Sequence, residues 1–580
     1  MALCQVTTNL DQYFAAAMRS ELPVYPFRRP PELDDPTLRR HPVVIVGAGL
    51  TGLTLALDLV RRGHRVVVLD DDNTVGVRGL ASRGIVWAQR TLDIFQRLGV
   101  AERIAARGVT WNTGRVLCAD REVASFQLQP QPDLRFNGFI NLQQYHVEQI
   151  LVETLAGTGA ADLRWLNRVE SVREDALQGA VELTVETPDG GYRLLADWVV
   201  ACDGSASQVR SCLGLYPTVH DKTEDRWIII DIVARNIAIP HERWTWLDCS
   251  ANAGRAVWRH PMADDTWRLD FQMSPDEDAE AAATETAMRA RVGRLLGPGV
   301  EFDIAWSGVW QYRHECLESF CHGRVMFAGD AAHVVSPFGA RGGNGGIQDA
   351  DALGWRLALV LSRLARSEML LDYSRERRQA AMENIRQTRR SARFVFPVDN
   401  PSASLWREAI VELAPLRAQV ARMINTGRLS APAVYRLAGC AHGEASPTCA
   451  VAGRALPNVR LRSGRIPIFL HDLLGPWFTA LDFEEADRAL PMNDEWLDRL
   501  CGEPGSDAWQ GGIDRAHLAR RVRVREHCDA QGLAALARQL PAEPSGVWLV
   551  RPDQHIGAHW TQSAAYERGG AQAVRQSSGA

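Results

Sequence analysis

The chain has 580 residues, 46% hydrophobic and 23% charged, with a formal charge of −5. That length exceeds one compact core and predicts two to four domains, and the slightly acidic balance gives a nucleic-acid role no electrostatic support. No apolar run approaches the roughly 20 residues of a membrane span, the N-terminus MALCQVTTNLDQYF lacks a secretory pattern, and eleven scattered cysteines without a CxxC pair read as free thiols, so a cytoplasmic protein is expected.

Residues 1–41 end in the Pro- and charge-rich stretch SELPVYPFRRPPELDDPTLRRH and read as an extended leader. PVVIVGAGLTGLTLALDLVRRGHRVVVLDDD then reads strand, glycine turn, helix, strand. Its strands are continuous apolar runs, as in a parallel sheet buried on both faces. Helical patterns follow over 88–107 and 143–156. A β-meander ends in the buried strand Trp198–Ala201, with PDGG as a hairpin turn. Residues 216–314 change texture: DRWIIIDIVAR, ERWTWLDCS, RAVWRHPMADDTWRLDFQM and EFDIAWSGVWQYR read as antiparallel strands, with a helical insert at 275–296. GRVMFAGDAAH restores the buried-strand-then-loop pattern of the first domain, which spans 42–215 and 315–395. A helix over 347–366 carries Leu353, Leu357, Val360, Leu361 and Leu364 on one face. A helical connector over 396–430 leads to a smaller α/β unit over 431–580.

Gly47-Ala48-Gly49-Leu50-Thr51-Gly52 follows a strand and opens a helix. In such a loop Gly47 permits the tight turn, Gly49 lets a pyrophosphate approach the backbone, and Gly52 packs helix on strand. The helix N-terminus offers N–H groups and positive potential to phosphate. Asp70 ends the second strand, 18 residues after Gly52, placed to accept hydrogen bonds from ribose hydroxyls. The loop predicts a dinucleotide and does not separate FAD from NAD.

Three later blocks narrow the choice: VVACDGSASQVR with Asp203 and Arg210, RVMFAGDAAHVVSPFGARGGNGGIQDADALGWRLALVL with Gly329, Asp330, Pro337 and Asn344, and LLDYSRERR at 370–378. Asp203 alone reads equally as a capping carboxylate after a strand. In this order and spacing the blocks resemble the FAD-dependent aromatic hydroxylases, the single-component flavoprotein monooxygenases that include p-hydroxybenzoate hydroxylase and phenol hydroxylase. The likeness is closer to the 3-(3-hydroxyphenyl)propionate hydroxylase-like branch.

The resemblance implies an α/β fold (α+β overall). A Rossmann-like FAD-binding domain would carry an inserted antiparallel-sheet substrate domain and a C-terminal thioredoxin-like domain. It implies that Gly47, Gly49 and Gly52 hold the FAD pyrophosphate and Asp70 the adenosine ribose. Arg83 would lie by the flavin, and Gln144 would contact the cofactor four residues before Glu148, with Gln143 as the competing register. Asp203 would serve both FAD and the nicotinamide cofactor, and Gly329-Asp330 would bring Asp330 to the ribityl chain. A helix starting near Asn344 would aim its N-terminus at the pyrimidine edge of the flavin, where reduced flavin is negative. Gly342, Gly343, Gly345 and Gly346 would let that backbone come close, and Pro337 would wall the substrate pocket. Many family members read Gly-Gly-x-Gly-x-Asn, whereas Ala340-Arg341 fills the middle here. Arg341 reads equally as pointing to solvent or as contacting a carboxylated substrate or the nicotinamide.

The implied function is hydroxylation of a small phenolic or aromatic substrate with NAD(P)H and O2, through a flavin hydroperoxide. The flavin carries that chemistry, and the protein excludes water, orients the ring and eases phenol deprotonation. Candidates for the last task are Tyr312, His314 and His260, with Arg341 and Pro337 also beside the reaction. His333 reads as structural or ring-flanking. No histidine spacing suggests a metal. RWTWLD at 243–248 lacks the Ile-Pro of the halogenase WxWxIP signature. The C-terminal unit, without paired thiols, reads as structural, with a homodimer interface as the family's implication. Two alternatives stand beside the hydroxylase. One is a flavin epoxidase or polyketide-ring oxygenase of the same fold. The other is a non-catalytic FAD-binding protein, against which Asp203, Arg210, Asp330 and Pro337 argue together.

Overall fold

The computed structural model describes residues 22–35, 37–76, 84–127, 133–136, 138–175, 177–237, 239–395, 401–424, 431–437, 451–484, 518–541 and 544–560. Strand β1 (Arg40–Val46) leads through Gly47 into helix α1 (Leu50–Arg61) and back to β2 (Val66–Leu69). Val43, Val44 and Ile45 are wholly buried, because the sheet is covered on both faces. Gly47 has φ +105°, and a Cβ there would lie 2.5 Å from the Cys202 carbonyl oxygen, so only glycine fits the turn.

The antiparallel pair β3 (Val86–Ala88) and β6 (Phe139–Asn141) flanks helices α2 (Gln89–Arg97) and α3 (Ala101–Arg107) and the hairpin β4 (Thr113–Cys118) and β5 (Arg121–Gln127). Helix α4 (Gln144–Ala156) leads to β7 (Ala161–Arg164), then to the meander β8 (Arg168–Asp175), β9 (Ala180–Thr187) and β10 (Gly190–Ala201). After helix α5 (Gln208–Cys212) come β11 (Val219–Ala234), β12 (Arg243–Cys249), β13 (Arg255–Pro261) and β14 (Thr266–Gln272). Helices α6 (Ala279–Ala282) and α7 (Glu285–Leu296) precede β15 (Phe302–Cys316), β16 (Cys321–His322), β17 (Val325–Phe327) and β18 (His333–Val334).

The first sheet runs β16-β17-β10-β1-β2-β7. β17, β10, β1, β2 and β7 pair in parallel, with β8 and β9 added antiparallel beside β10. The second sheet runs β18-β15-β11-β14-β13-β12-β4-β5. It is wider than the expected 216–314 unit. β4 joins β12 in parallel from within the first segment, and β18 adds two residues after the return. Local alternation shows that such strands exist; which sheet they join is decided by distant partners.

Helix α8 (Gly342–Leu361) starts five residues before the expected 347 and ends five before 366, leaving Leu364 beyond it. It is buried on every side from Asn344 to Leu359, not along one stripe. Packing against α1 outweighs the poor helix propensity of its glycines. Its polar residues are buried in pairs: Asp349 accepts from Arg377 Nε at 2.6 Å and lies 2.8 Å from His333 Nε2, and Arg356 reaches Glu376 at 2.8 Å. Helix α9 (Met369–Val395) lies beside it, followed by α10 (Pro401–Leu413) and α11 (Ala418–Ile424) in the expected connector.

The last unit holds the hairpin β19 (Arg460–Arg462) and β20 (Ile468–Phe469), strands β21 (Phe478–Asp482) and β22 (Ala519–Arg523), helix α12 (Ala530–Gln539), and strands β23 (Val547–Val550) and β24 (Ile556–Trp560). Its four-stranded sheet runs β22-β21-β23-β24, with only β21 and β22 parallel. Among the described residues no helix is long and apolar enough to cross a membrane.

Candidate functional site

Helices α1 and α8 each begin at a glycine loop, and both loops open onto one cavity of about 510 Å³. Gly49, Leu50 and Thr51 line it from the first loop; Gly329, Asp330, Pro337, Arg341, Gly343 and Asn344 line it from the second. Neither helix is capped by the side chain of its own N-cap residue, so the positive end of each is turned to the cavity, although the first N–H of α1, that of Leu50, already donates to Glu148 Oε1 at 3.0 Å. A Cβ on Gly49 would find nothing nearer than Glu148 Oε1 at 3.9 Å, so the backbone there stands open.

Close contacts hold the loops together. Gly329 has φ +63°, and a Cβ on it would lie 2.6 Å from Thr51 Oγ1. The Gly329 N–H donates to Asp349 Oδ2 at 2.9 Å. Arg210 donates to the Ser205 carbonyl at 2.7 Å and the Ala331 carbonyl at 3.1 Å, tying the Asp-Gly block to the Gly-Asp block.

The sequence-predicted residues divide into three groups. Gly49, Gln144, Gly329, Asp330, Pro337, Gly343, Asn344, Tyr312, His260 and Arg341 all reach the cavity. Gln144 accepts from the Gly84 N–H at 2.9 Å and donates to Glu148 at 2.8 Å. Gln143 turns away and donates to the Ala263 carbonyl at 3.1 Å, so the Gln144 register is the one at the cavity. Gly47, Gly52, Asp70 and Asp203 support the wall from behind. Asp70 accepts from the Ala48 N–H at 2.5 Å and the Asp72 N–H at 2.8 Å. Burial pushes its carboxyl up to about 7, against the pull of these two donors. Asp203 accepts from the Val209 N–H at 3.0 Å and so braces the start of α5, while its Oδ1 has no partner among the described residues. Arg83 lies outside the described residues.

Among the catalytic candidates, His314 does not reach the cavity. It is buried behind the wall, with Nε2 3.0 Å from Thr388 Oγ1 and 3.2 Å from Ser336 Oγ. His333 is structural, on Asp349. The solvent reading of Arg341 is overturned. Its side chain is 6% exposed and donates to Asn384 Oδ1 at 2.9 Å, because its position at the start of α8 turns it inward over the cavity.

Glu148 also fills a place that sequence reasoning did not give it. It accepts from the Leu50 N–H at 3.0 Å and the Gly76 N–H at 2.6 Å, so it shares the start of α1 with any phosphate bound there.

The second sheet builds the other wall. Arg243, Thr245 and Leu247 on β12 face the cavity, while the alternating Trp244 and Trp246 pack on the opposite face, as expected of strand residues outside any halogenase motif. Trp258, His260, Arg268, Asp270, Trp310 and Tyr312 complete this wall. Arg243, Arg268 and Asp270 were not singled out beforehand. Their signal was present in the two-residue alternation of RWTWL and TWRLDF, but no local rule says which face meets a ligand. Tyr312 packs edge-on against Phe338 with centroids 5.8 Å apart, and burial holds its phenol well above its usual range, hence neutral. His260 is also held neutral, by burial first and then by Arg243 and Arg268. No metal-ligating cluster is present among the described residues.

Comparison with known proteins agrees with this geometry. The family described as an FAD binding domain matches residues 40–388. A 3-(3-hydroxy-phenyl)propionate/3-hydroxycinnamic acid hydroxylase of Mycolicibacterium smegmatis is 29% identical over 545 residues, 90% of this chain and 91% of that protein. A 6-methylpretetramide 4-monooxygenase of Streptomyces rimosus is 28% identical over 92% of each chain. The crystal structure of the flavin-dependent monooxygenase PieE with FAD and substrate shares the fold at a TM-score of 0.70, with 21% identity over 89% of this chain and 95% of that one. The two glycine-loop helix starts, the shared cavity and these matches together place the chain in the FAD-dependent aromatic hydroxylase family, monooxygenases with FAD as cofactor and NAD(P)H as co-substrate.

Proposed function

We propose that the chain hydroxylates a small phenolic acid of the hydroxyphenylpropionate kind. The observation that carries this reading is one cavity bounded by two glycine-loop helix starts on one side and by aromatic and cationic side chains on the other. The mycobacterial relative, similar over nine-tenths of both chains, carries an acid of that class in its name. Bound FAD supplies the oxygen activation.

The remaining work belongs to the chain. Gly47, Gly49 and Gly52 admit the pyrophosphate to the start of α1. Asp70 and Glu148 would set the loop around it, Asp70 from behind through the Ala48 and Asp72 N–H groups. Asp330, on the cavity wall, would hold the ribityl chain. Gly343 and Asn344, at the start of α8 on the cavity wall, would turn its positive end toward the pyrimidine edge of a bound flavin, where it would favour the charge of the reduced form. Asn344 is rigid enough for this: its Oδ1 accepts from the Ala88 N–H at 2.9 Å and its Nδ2 donates to the Val86 carbonyl at 2.8 Å. Pro337 and Phe338 carry the aromatic wall to Tyr312, whose neutral hydroxyl would donate a hydrogen bond to the substrate phenol oxygen and so favour the phenolate once its proton is lost to water. Asp203 and Arg210 keep the two loops in register. The C-terminal unit is thioredoxin-like and structural. Its Cys528 thiol is pushed up to about 11 by burial, away from the thiolate form.

Purified protein is expected to show flavin absorbance and phenol-stimulated NAD(P)H oxidation, with a product one oxygen heavier. Protein that takes up no flavin when FAD is added would refute the cofactor placement. Asp330→Ala is expected to weaken FAD retention about tenfold, the effect of one lost hydrogen bond to an anchoring carboxylate. Unchanged flavin content after gel filtration would contradict its role. The relation to the Streptomyces rimosus enzyme supports a second reading, a polyketide ring as substrate. Product masses from a panel of phenolic acids and polycyclic phenols separate the two.

A further inference from the structure

Arg243 opens strand β12, and its side chain enters the cavity. The antiparallel register Trp244↔Arg259 places Arg243 beside His260, and His260 in turn pairs with Arg268. The other cavity arginines have partners. Arg268 Nε donates to Asp270 Oδ1 at 2.8 Å, Arg313 lies 3.1 Å from Glu315, and Arg341 donates to Asn384. Arg259, on the far face of the sheet, rests 4.4 Å from the Trp244 ring. Arg243 has no ion-pair or aromatic partner among the described residues, and its buried Nε has no hydrogen-bond acceptor. The neighbouring His260 Nδ1 is likewise buried and without a partner. Burial pushes the Arg243 guanidinium down to about 10, with Asp270 opposing, yet the group stays charged at neutral pH. A buried charge that the described residues give no ion pair and no hydrogen bond, with only the more distant field of Asp270 to favour it, is one held for a ligand.

We propose that Arg243, assisted by His260 Nδ1, is the specificity residue that docks the carboxylate of the substrate on the sheet wall and thereby sets which ring carbon faces the flavin. The inference rests on the phenolic-acid reading and adds to it the residue that recognises the acid. A planar guanidinium suits the task because it offers a carboxylate two parallel N–H donors. Tyr312, farther along the same wall beside Phe338, is left to the phenol end of the ring.

The test uses the FAD-loaded full chain and follows the flavin absorbance change on titration with 3-(3-hydroxyphenyl)propionate and with neutral 3-propylphenol. Wild type is expected to bind the acid at least about tenfold more tightly. Arg243→Met should lose about ten- to a hundredfold in affinity for the acid and change about twofold or less for the phenol, the pattern of one lost charge-assisted contact. Arg243→Lys should recover part of the loss. Equal binding of both probes by wild type, or acid binding unchanged in Arg243→Met, overturns the assignment. Flavin-replete wild type that binds neither probe overturns the phenolic-acid reading itself, and this inference with it. Arg243→Gln replaces the Met variant if the latter fails to retain flavin.

Discussion

Asp231 lies in the cavity-facing row of the second sheet, paired across strands with Arg268. It is 4% exposed, and its Oδ1 has no partner among the described residues. Burial, helped by Asp270 and only partly offset by Arg268, holds its carboxyl up to about 7. An unfolded aspartate titrates near ~3.9. Between these values the folded chain keeps a proton that the unfolded chain has shed, so the group turns against the fold as pH rises from about 4 to 7. Asp231→Asn is expected to gain stability over wild type as pH goes from 5 to 7, by up to about 1.4 kcal/mol per pH unit. Urea midpoints at pH 5, 6 and 7 measure this, and a pH-independent difference would refute the buried, protonated state. The residue scale also shows where sequence reading stops. The residue type and position of Arg341 were plain, but its inward direction depends on where α8 begins. Asp203 had two readings, and the one the structure displays is the bracing of α5.

At the scale of elements, the contact between α1 and α8 is the joint on which the cofactor site turns. Gly346 is a glycine because a Cβ there would overlap Thr51 Oγ1 and lie 3.4 Å from the Gly329 Cα. Gly346→Ala is therefore expected to destabilise by about 1–3 kcal/mol through overpacking and to lower flavin content. Thr51→Ala in the same chain removes the obstructing hydroxyl and should restore part of both. Thermal midpoints and flavin-to-protein ratios of the single and double variants check this; strictly additive effects would exclude the contact as the cause. The glycine spacing marked the joint as special. The identity of the opposing residue was not legible, because Thr51 and Gly346 are distant in sequence and meet only when both helices pack on one sheet.

At the scale of the molecule, the C-terminal unit is bonded to the flavin-side helices by buried charges. Arg551 donates to both oxygens of Glu376 at 2.8 and 2.9 Å, and Glu376 also accepts from Arg356. Arg377 donates to the Tyr435 hydroxyl at 2.8 Å while holding Asp349 behind the Gly329 loop. Removing one member of a buried pair leaves the other uncompensated, at about 3–5 kcal/mol. Arg551→Met is expected to lower the thermal midpoint by several degrees and expose the region near 431–437 to protease. An unchanged midpoint and digestion pattern would mean the unit is not anchored there. By itself the sequence determined the nucleotide-binding turn, the buried strands, the presence of a second sheet and the family, because these rest on local periodicity and on motifs whose spacing has few alternatives. The tertiary structure alone decided that β4 joins β12, that His314 stands behind the wall, and that Arg341 and Arg243 enter the cavity. Those outcomes depend on register and on packing between segments far apart in the chain, and no local pattern encodes which face of a strand will meet a ligand.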